Sequence, residues 1–165
     1  MNNKINLEIK FATKADVPII LSFIQDLAHY EKLLHEVVAT EALLDENLFG
    51  EKKYAEVILA YVDGLAVGFA LFFHNFSTFL AKPGIYLEDL FVVPEKRGLG
   101  IAKQMLVFLA DLSIKRDCGR LEWSVLDWNT PALDFYKNIG AKSMDEWTVH
   151  RVTGSALNKL ANLLS

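Results

Sequence analysis

Apolar and polar residues alternate from Ile5 to Phe11, with Ile5, Leu7, Ile9 and Phe11 set against Asn6, Glu8 and Lys10, which predicts a half-buried strand. The period then changes. Val17, Ile20, Leu21, Ile24, Leu27 and Ala28 recur at helical spacing, behind a cap region at Thr13 with Asp16 and Pro18 in the first turn. This helix is expected to reach about Leu33, with Tyr30 and Glu31 near its end. Thr40 and Glu41 open a second, short helix to Leu48, closed by Gly50. Strands follow over Tyr54–Tyr61 and Ala66–His74, joined by the hairpin dipeptide Asp63-Gly64. A loop is expected over Asn75–Gly84 and a strand over Ile85–Val93. A long helix runs from about Gly98 to Arg116, with Ile101, Met105, Phe108, Leu109 and Leu112 on one face. Beyond Gly119 the pattern predicts a strand over Leu121–Leu126 and a helix over Asn129–Asn138, with Pro131 in its first turn and Gly140 past its end. Ala141–Val152 reads as a last strand, and Leu157, Leu160, Ala161 and Leu164 as a tail helix. The order β-α-α-β-β-β-α-β-α-β is that of a mixed α/β domain around a central sheet.

Bulk properties narrow the picture modestly. A chain of 165 residues suits one domain, and 52% hydrophobic content supports a sizeable core. A formal charge of −4 argues against nucleic acid, which calls for a basic stripe. Cys118 is the single cysteine, so no internal disulfide is expected, in keeping with a reducing cytoplasm. No basic-then-apolar leader opens the chain, and no apolar run reaches the roughly 18 residues of a membrane span. Among the histidines, His29 and His35 lie on different faces of a helix and no metal spacing is found; no metal site is expected.

The chemistry concentrates in Ile85–Lys103, IYLEDLFVVPEKRGLGIAK. Gly98 and Gly100 lack a Cβ, so their backbone N–H groups can approach a bulky anion, and the helix after them turns its unpaired N–H groups and positive dipole end to the same place. Arg97 adds a fixed positive charge. A dinucleotide fingerprint fails because Lys103 stands where the third glycine belongs, and no phosphate-loop G-x-x-x-x-G-K-[ST] run is present. The local pattern leaves open a turn that only starts a helix. Glu88 and Asp89 are adjacent acids inside an apolar strand. Regular pleating sends adjacent side chains to opposite faces, so only one acid meets a ligand unless a bulge re-aims its neighbour. A capping or Lys-pairing role for one of them stays open. Tyr136, beside Phe135, carries a phenol able to donate a proton, or is a core residue of an amphipathic helix.

Arg97-x-x-Gly100-x-Ala102, following a strand that ends in Val93-Pro94, resembles the acetyl-CoA signature of the GCN5-related N-acetyltransferase (GNAT) superfamily. Leu27-Ala28-His29-Tyr30-Glu31, Tyr86-Leu-Glu-Asp-Leu-Phe-Val-Val, Trp128-Asn129-x-Pro131 and Phe135-Tyr136-Lys137 resemble its diamine (spermidine/spermine/thialysine) acetyltransferase branch, collinearly over residues 5–152. The resemblance implies an acyl-CoA N-acyltransferase fold, α/β with a central mixed, mostly antiparallel sheet flanked by helices. It implies an acetyltransferase domain over 1–152, with 153–165 a tail helix outside it, and acetyl-CoA as co-substrate. Arg97, Gly98, Leu99, Gly100, Ile101, Ala102 and Lys103 would hold pyrophosphate. The backbone of Leu90, Phe91 and Val92 would pair with pantetheine like an added strand, with Asn129 and Pro131 at the pantetheine arm or the helix start. Glu88 would be the general base through water and Tyr136 the general acid. Tyr30, Glu31, Glu88, Asp89, Glu122, Trp123 and Ser124 would line the amine site. An exposed helix end for Glu31 and plain sheet packing for Trp123 remain equal readings of the residues themselves.

The polyamine pattern is departed from before the Ile85 strand, where Ser77-Thr78-Phe79-Leu80 stands in place of an acid and a tryptophan. This leaves room for a shorter acceptor, a diamine or a lysine-like amino acid such as thialysine. A non-catalytic acyl-CoA-binding module and a protein N-acetyltransferase are the alternatives; the first could dispense with Glu88, Asp89 and Tyr136, all of which are present. The resemblance further implies a homodimer.

Overall fold

The computed structural model describes residues 5–164 and divides into two compact units, 1–124 and 125–165. The first unit holds a five-stranded sheet in the order β1 (Leu7–Phe11), β2 (Glu56–Val62), β3 (Leu65–Ser77), β4 (Lys82–Val92), β5 (Leu121–Trp123). The first four strands pair antiparallel and β5 joins β4 in parallel. Helices α1 (Val17–Tyr30), α2 (Glu41–Leu44) and α3 (Ile101–Lys115) belong to this unit. Among the described residues no helix is long and apolar enough to cross a membrane.

The period-2 pattern of the strands sorts their side chains into two layers. On one face Val57, Leu59, Phe69 and Phe91 meet Ile20 and Phe23 of α1, and the rings of Phe23 and Phe69 stack with centroids 5.8 Å apart. The alternate residues Ile58, Phe72, Ile85 and Leu87 are equally buried on the other face, where Ile101, Met105 and Leu109 supply the apolar side of α3. The Asp63-Gly64 hairpin forms as expected, with φ of 51° and 80°, the two left-handed residues of a type I′ turn.

Several boundaries depart from the periodicity. The expected loop over 75–84 is mostly strand: β3 and β4 continue to Ser77 and from Lys82, closing through a short turn with Ala81 at φ 52°. No Asn-Gly pair marks that turn, so the sequence offered no cue for it. The second helix is α-helical only to Leu44 and widens to a π turn over Asp45–Phe49. The long helix starts at Ile101, not Gly98, because Gly98 (φ 77°) and Gly100 (φ 80°) are left-handed and break the helical path.

α1 ends at Tyr30, short of Leu33, in a Schellman closure: Lys32 N–H donates to the His29 carbonyl (3.1 Å) and Leu33 N–H to the Ala28 carbonyl (2.8 Å). Lys32 takes φ 62° there, a position that favours glycine. Replacing Lys32 with Gly is expected to stabilise the protein by about 1 kcal/mol, read from the denaturant midpoint at unchanged m-value.

The second unit contains α4 (Thr130–Asn138) and α5 (Gly154–Ala161). The strand expected over Ala141–Val152 does not form; the segment lacks regular structure, and Met144, Trp147 and Val149 are exposed. Its alternation satisfies the side-chain half of the strand pattern, but among the described residues of the unit no partner strand supplies the ladder that a strand requires.

Candidate active site

β4 carries the adjacent acids Glu88 and Asp89, and its register sets which face each takes. Phe72 faces Leu87 and Leu71 faces Asp89, so Glu88 is an extra residue with no partner on β3. This bulge keeps Tyr86 and Asp89 on one face, beside Phe73 and Leu71, where strict alternation would have turned Asp89 toward α3. Glu88 is exposed and Asp89 half-buried. Burial, then the Glu88 charge, then the Glu31 charge push the Asp89 carboxyl up to about 6. Burial also raises the Glu31 carboxyl. The Schellman closure of α1 fixes Glu31 as the residue that caps it. Three acids from two elements therefore share one electrostatic neighbourhood, which is the arrangement that attracts a cation.

β5 pairs with β4 only at Ile85, Tyr86 and Leu87, and stops where the bulge begins. Beyond that point the β4 edge over 88–92 has no partner strand among the described residues, so its outward backbone groups can receive an extended chain. The strand leads into a turn over Pro94–Lys96, the left-handed Gly98 and Gly100, and the start of α3. No side chain caps α3, and the first backbone bond returning to the turn runs from Gln104 N–H to the Gly100 carbonyl (3.0 Å). A Cβ built on Gly98 or Gly100 would meet nothing within 4 Å, so these glycines serve the backbone path and leave open space above it. Leu99 and Lys103 are exposed, Ala102 is half-buried, and Ile101 is buried in the α3 layer.

Arg97 is held in place by its neighbours. Its Nε donates to the Val92 carbonyl (2.9 Å), and its guanidinium lies 4.7 Å from the Tyr30 ring centroid and 5.5 Å from that of Phe91. The arm is thus braced against Tyr30 at the end of α1.

Further along the same face Tyr86 lies opposite Glu122 in the parallel register, and its Oη shares a hydrogen bond with Ser124 Oγ (2.6 Å). Glu122 accepts from Asn75 Nδ2 (2.8 Å), and Arg120 Nε lies 2.7 Å from the same Oε2 as an ion pair off the hydrogen-bond direction. Trp123, half-buried, lies across from Leu87. Arg120 and Asn75 escaped the sequence reading. The available signal was Arg120-x-Glu122, opposite charges two residues apart and so on one side of a strand.

The second unit places Asn129 as the residue that caps α4, through its carbonyl, which accepts from Ala132 (3.1 Å) and Leu133 (3.0 Å); its side chain does not cap the helix. Pro131 occupies the first turn. Gly140 (φ 89°) ends α4 in a second Schellman closure. Tyr136 packs at 5.4 Å from the Phe135 ring, and burial raises its phenol above the ordinary value of 10.0. A cavity of about 520 Å³ also opens at the start of β2, lined by Tyr54, Phe73 and His74 among others, and no residue expected at the site lines it.

Residues 23–141 match the model of the Acetyltransferase (GNAT) family. The chain is 35% identical to a thialysine N-epsilon-acetyltransferase of Bos taurus, over 93% of this chain and 96% of that protein. It is 32% identical to an L-ornithine N5-acetyltransferase of Arabidopsis thaliana, over 94% and 88% respectively. Among solved structures, an integron cassette protein from the mobile metagenome of V. cholerae superposes with a TM-score of 0.79 at 32% identity, over 94% of this chain and 98% of that one. The α/β sheet with its flanking helices is the fold the resemblance implied, members of the family use acetyl-CoA, and the chain belongs to the GNAT family as an N-acetyltransferase.

Proposed function

We propose that the protein transfers acetyl from acetyl-CoA to the terminal primary amine of a small cationic acceptor in the cytoplasm: a diamine, a polyamine, or a lysine-like amino acid such as thialysine. The observation that carries this reading is the convergence of Glu31, Glu88 and Asp89 at the bulge, next to the open edge of β4. The names of the thialysine and ornithine acetyltransferase relatives support the same acceptor class.

The features of unit 1 fit the donor. A strand edge with no partner strand among the described residues at Leu90, Phe91 and Val92, its Val92 carbonyl already accepting from Arg97, suits a chain bearing amides, and the start of α3 over Gly98–Lys103, with no side-chain cap and Arg97 braced beside it, suits a pyrophosphate. Asn129 and Pro131, at the start of α4, are assigned to the pantetheine arm. Acetyl-CoA supplies an activated acyl group as a thioester. The residues supply proton handling. An alkyl ammonium of pKa near that of lysine, about 10.4, is not a nucleophile until it loses a proton. Glu88, exposed to solvent, takes that proton through water, while Asp89 and Glu31 hold the ammonium by charge. The ammonium in turn favours the ionised form of Asp89. Tyr136, held neutral by burial, keeps a proton at Oη for the departing sulfur. Glu122, Trp123 and Ser124 line the acceptor beyond Tyr86. We assign residues 1–152 to this domain and infer a homodimer.

The test is a panel of amines with acetyl-CoA, followed by thiol release. Turnover with diamines or lysine analogues is the expected result; retained CoA binding with no release from any amine would remove the assignment.

A further inference from the structure

Acceptor choice can be read one step further along the Asp89 face, and this step rests on the function just proposed. From the bulge the face runs past Tyr86 to Glu122, a distance of about 10 Å at the usual rise of a strand. A polyamine anchored by one ammonium at Glu88 and Asp89 would bring a later ammonium to Glu122. Yet Glu122 is already matched: Arg120 Nε stands 2.7 Å from its Oε2, and Asn75 Nδ2 donates to the same oxygen at 2.8 Å.

Arg120 cannot easily leave. Gly84 lies beneath it, and a Cβ there would come to 2.8 Å from Arg120 Cγ and 2.4 Å from Asn75 Oδ1, so the missing side chain is what lets both residues pack onto the sheet. The Arg120 Nε and Asn75 Oδ1 atoms are buried and make no hydrogen bond in the described structure. The end of the face is therefore a neutral pair with one donor and one acceptor still to satisfy, not an anionic subsite.

We propose that Arg120 is a specificity-determining residue, which by neutralising Glu122 disfavours acceptors whose far end is a bare ammonium and favours those whose far end carries a carboxylate beside its ammonium, as an amino acid does. A carboxylate there meets the guanidinium, and an ammonium meets it too, at a cost.

The experiment compares kcat/KM for spermidine with that for thialysine in the wild-type protein, Arg120→Gln and Glu122→Gln. The wild type is expected to favour thialysine. Arg120→Gln, which frees the Glu122 charge, should move the spermidine-to-thialysine ratio up by about tenfold, the effect of one charge contact of about 1.4 kcal/mol, and through KM more than kcat. Glu122→Gln, which frees the guanidinium, should move the ratio the other way, so a folding defect in one variant leaves the second to decide. An active wild type whose ratio is unchanged in every folded variant overturns the role of Arg120 alone. A wild type inactive on all amines overturns the proposed function and this inference with it.

Discussion

Replacing Tyr136 with Phe lowers kcat by about 10²-fold or more while CoA affinity stays unchanged. The substitution removes one oxygen and keeps the ring that packs beside Phe135. The raised phenol pKa fixes the direction of the argument: at neutral pH Tyr136 is protonated, so it can give a proton but cannot take one. A second readout separates donation from packing. With an acyl donor whose thiol is more acidic, the leaving sulfur needs less help, and the deficit of the Phe variant should shrink. Equal turnover of the two proteins, or a deficit that ignores the leaving group, would take the proton-donor role from Tyr136.

Asp89→Asn should make the protein more stable and less active. The Asp89 carboxyl is raised from an ordinary 3.8 to about 6, by burial first and by Glu88 and Glu31 next. The folded state therefore holds this proton more tightly than the unfolded chain does. Below about pH 3 both states are largely protonated and the penalty is close to zero. As pH rises from 4 to 6 the unfolded chain ionises first, and stability falls. Above 6 the penalty is complete, about 3 kcal/mol for a shift of two units. Asn carries no charge, so the variant should gain up to that amount at pH 7.5 and match the wild type near pH 3. Thermal unfolding across this range reads the gain, which must vanish on acidification if the buried Asp89 charge is its source. Activity should move the other way, with kcat/KM falling by about 30-fold or more from loss of a charge partner worth 2–5 kcal/mol. A variant no more stable at pH 7.5 than at pH 3, relative to wild type, would show that the buried Asp89 charge carries no such penalty. The opposite signs of the two effects are those of a site that trades stability for function.

Much of this was legible along the chain, and the rest had physical reasons to be hidden. Strands β1 to β4 and helices α1 and α3 follow from periodicity because each buries one face against a sheet or helix. The left-handed turn before α3 was legible because Gly98 and Gly100 stand two residues apart where a strand gives way to a helix, while its use for an anion rested on the family resemblance. The adjacent acids Glu88 and Asp89 pointed to a bulge, but a bulge is a property of two strands, and only the pairing with Leu71 and Phe72 locates it. The braced Arg97 depends on Tyr30, 67 positions earlier, and the neutralised Glu122 on Asn75, 47 positions earlier. Ala141–Val152 was misread for the converse reason: alternation states which side chains share a face and says nothing of whether a neighbour exists to pair the backbone.

The bulge at Glu88 has a bearing on how such a site can change over generations. Because one surplus residue is absorbed there, Leu87 before it and Phe91 after it keep the layers they would occupy in an uninterrupted strand. Losing one of the two acids by deletion would leave Tyr86, the surviving acid and Phe91 on the same side, with the core undisturbed. Carboxylate number at this position is thus free to vary by insertion and deletion without refolding the sheet, and a lineage can gain or shed a proton-handling group at a locus where most strands tolerate no change of length.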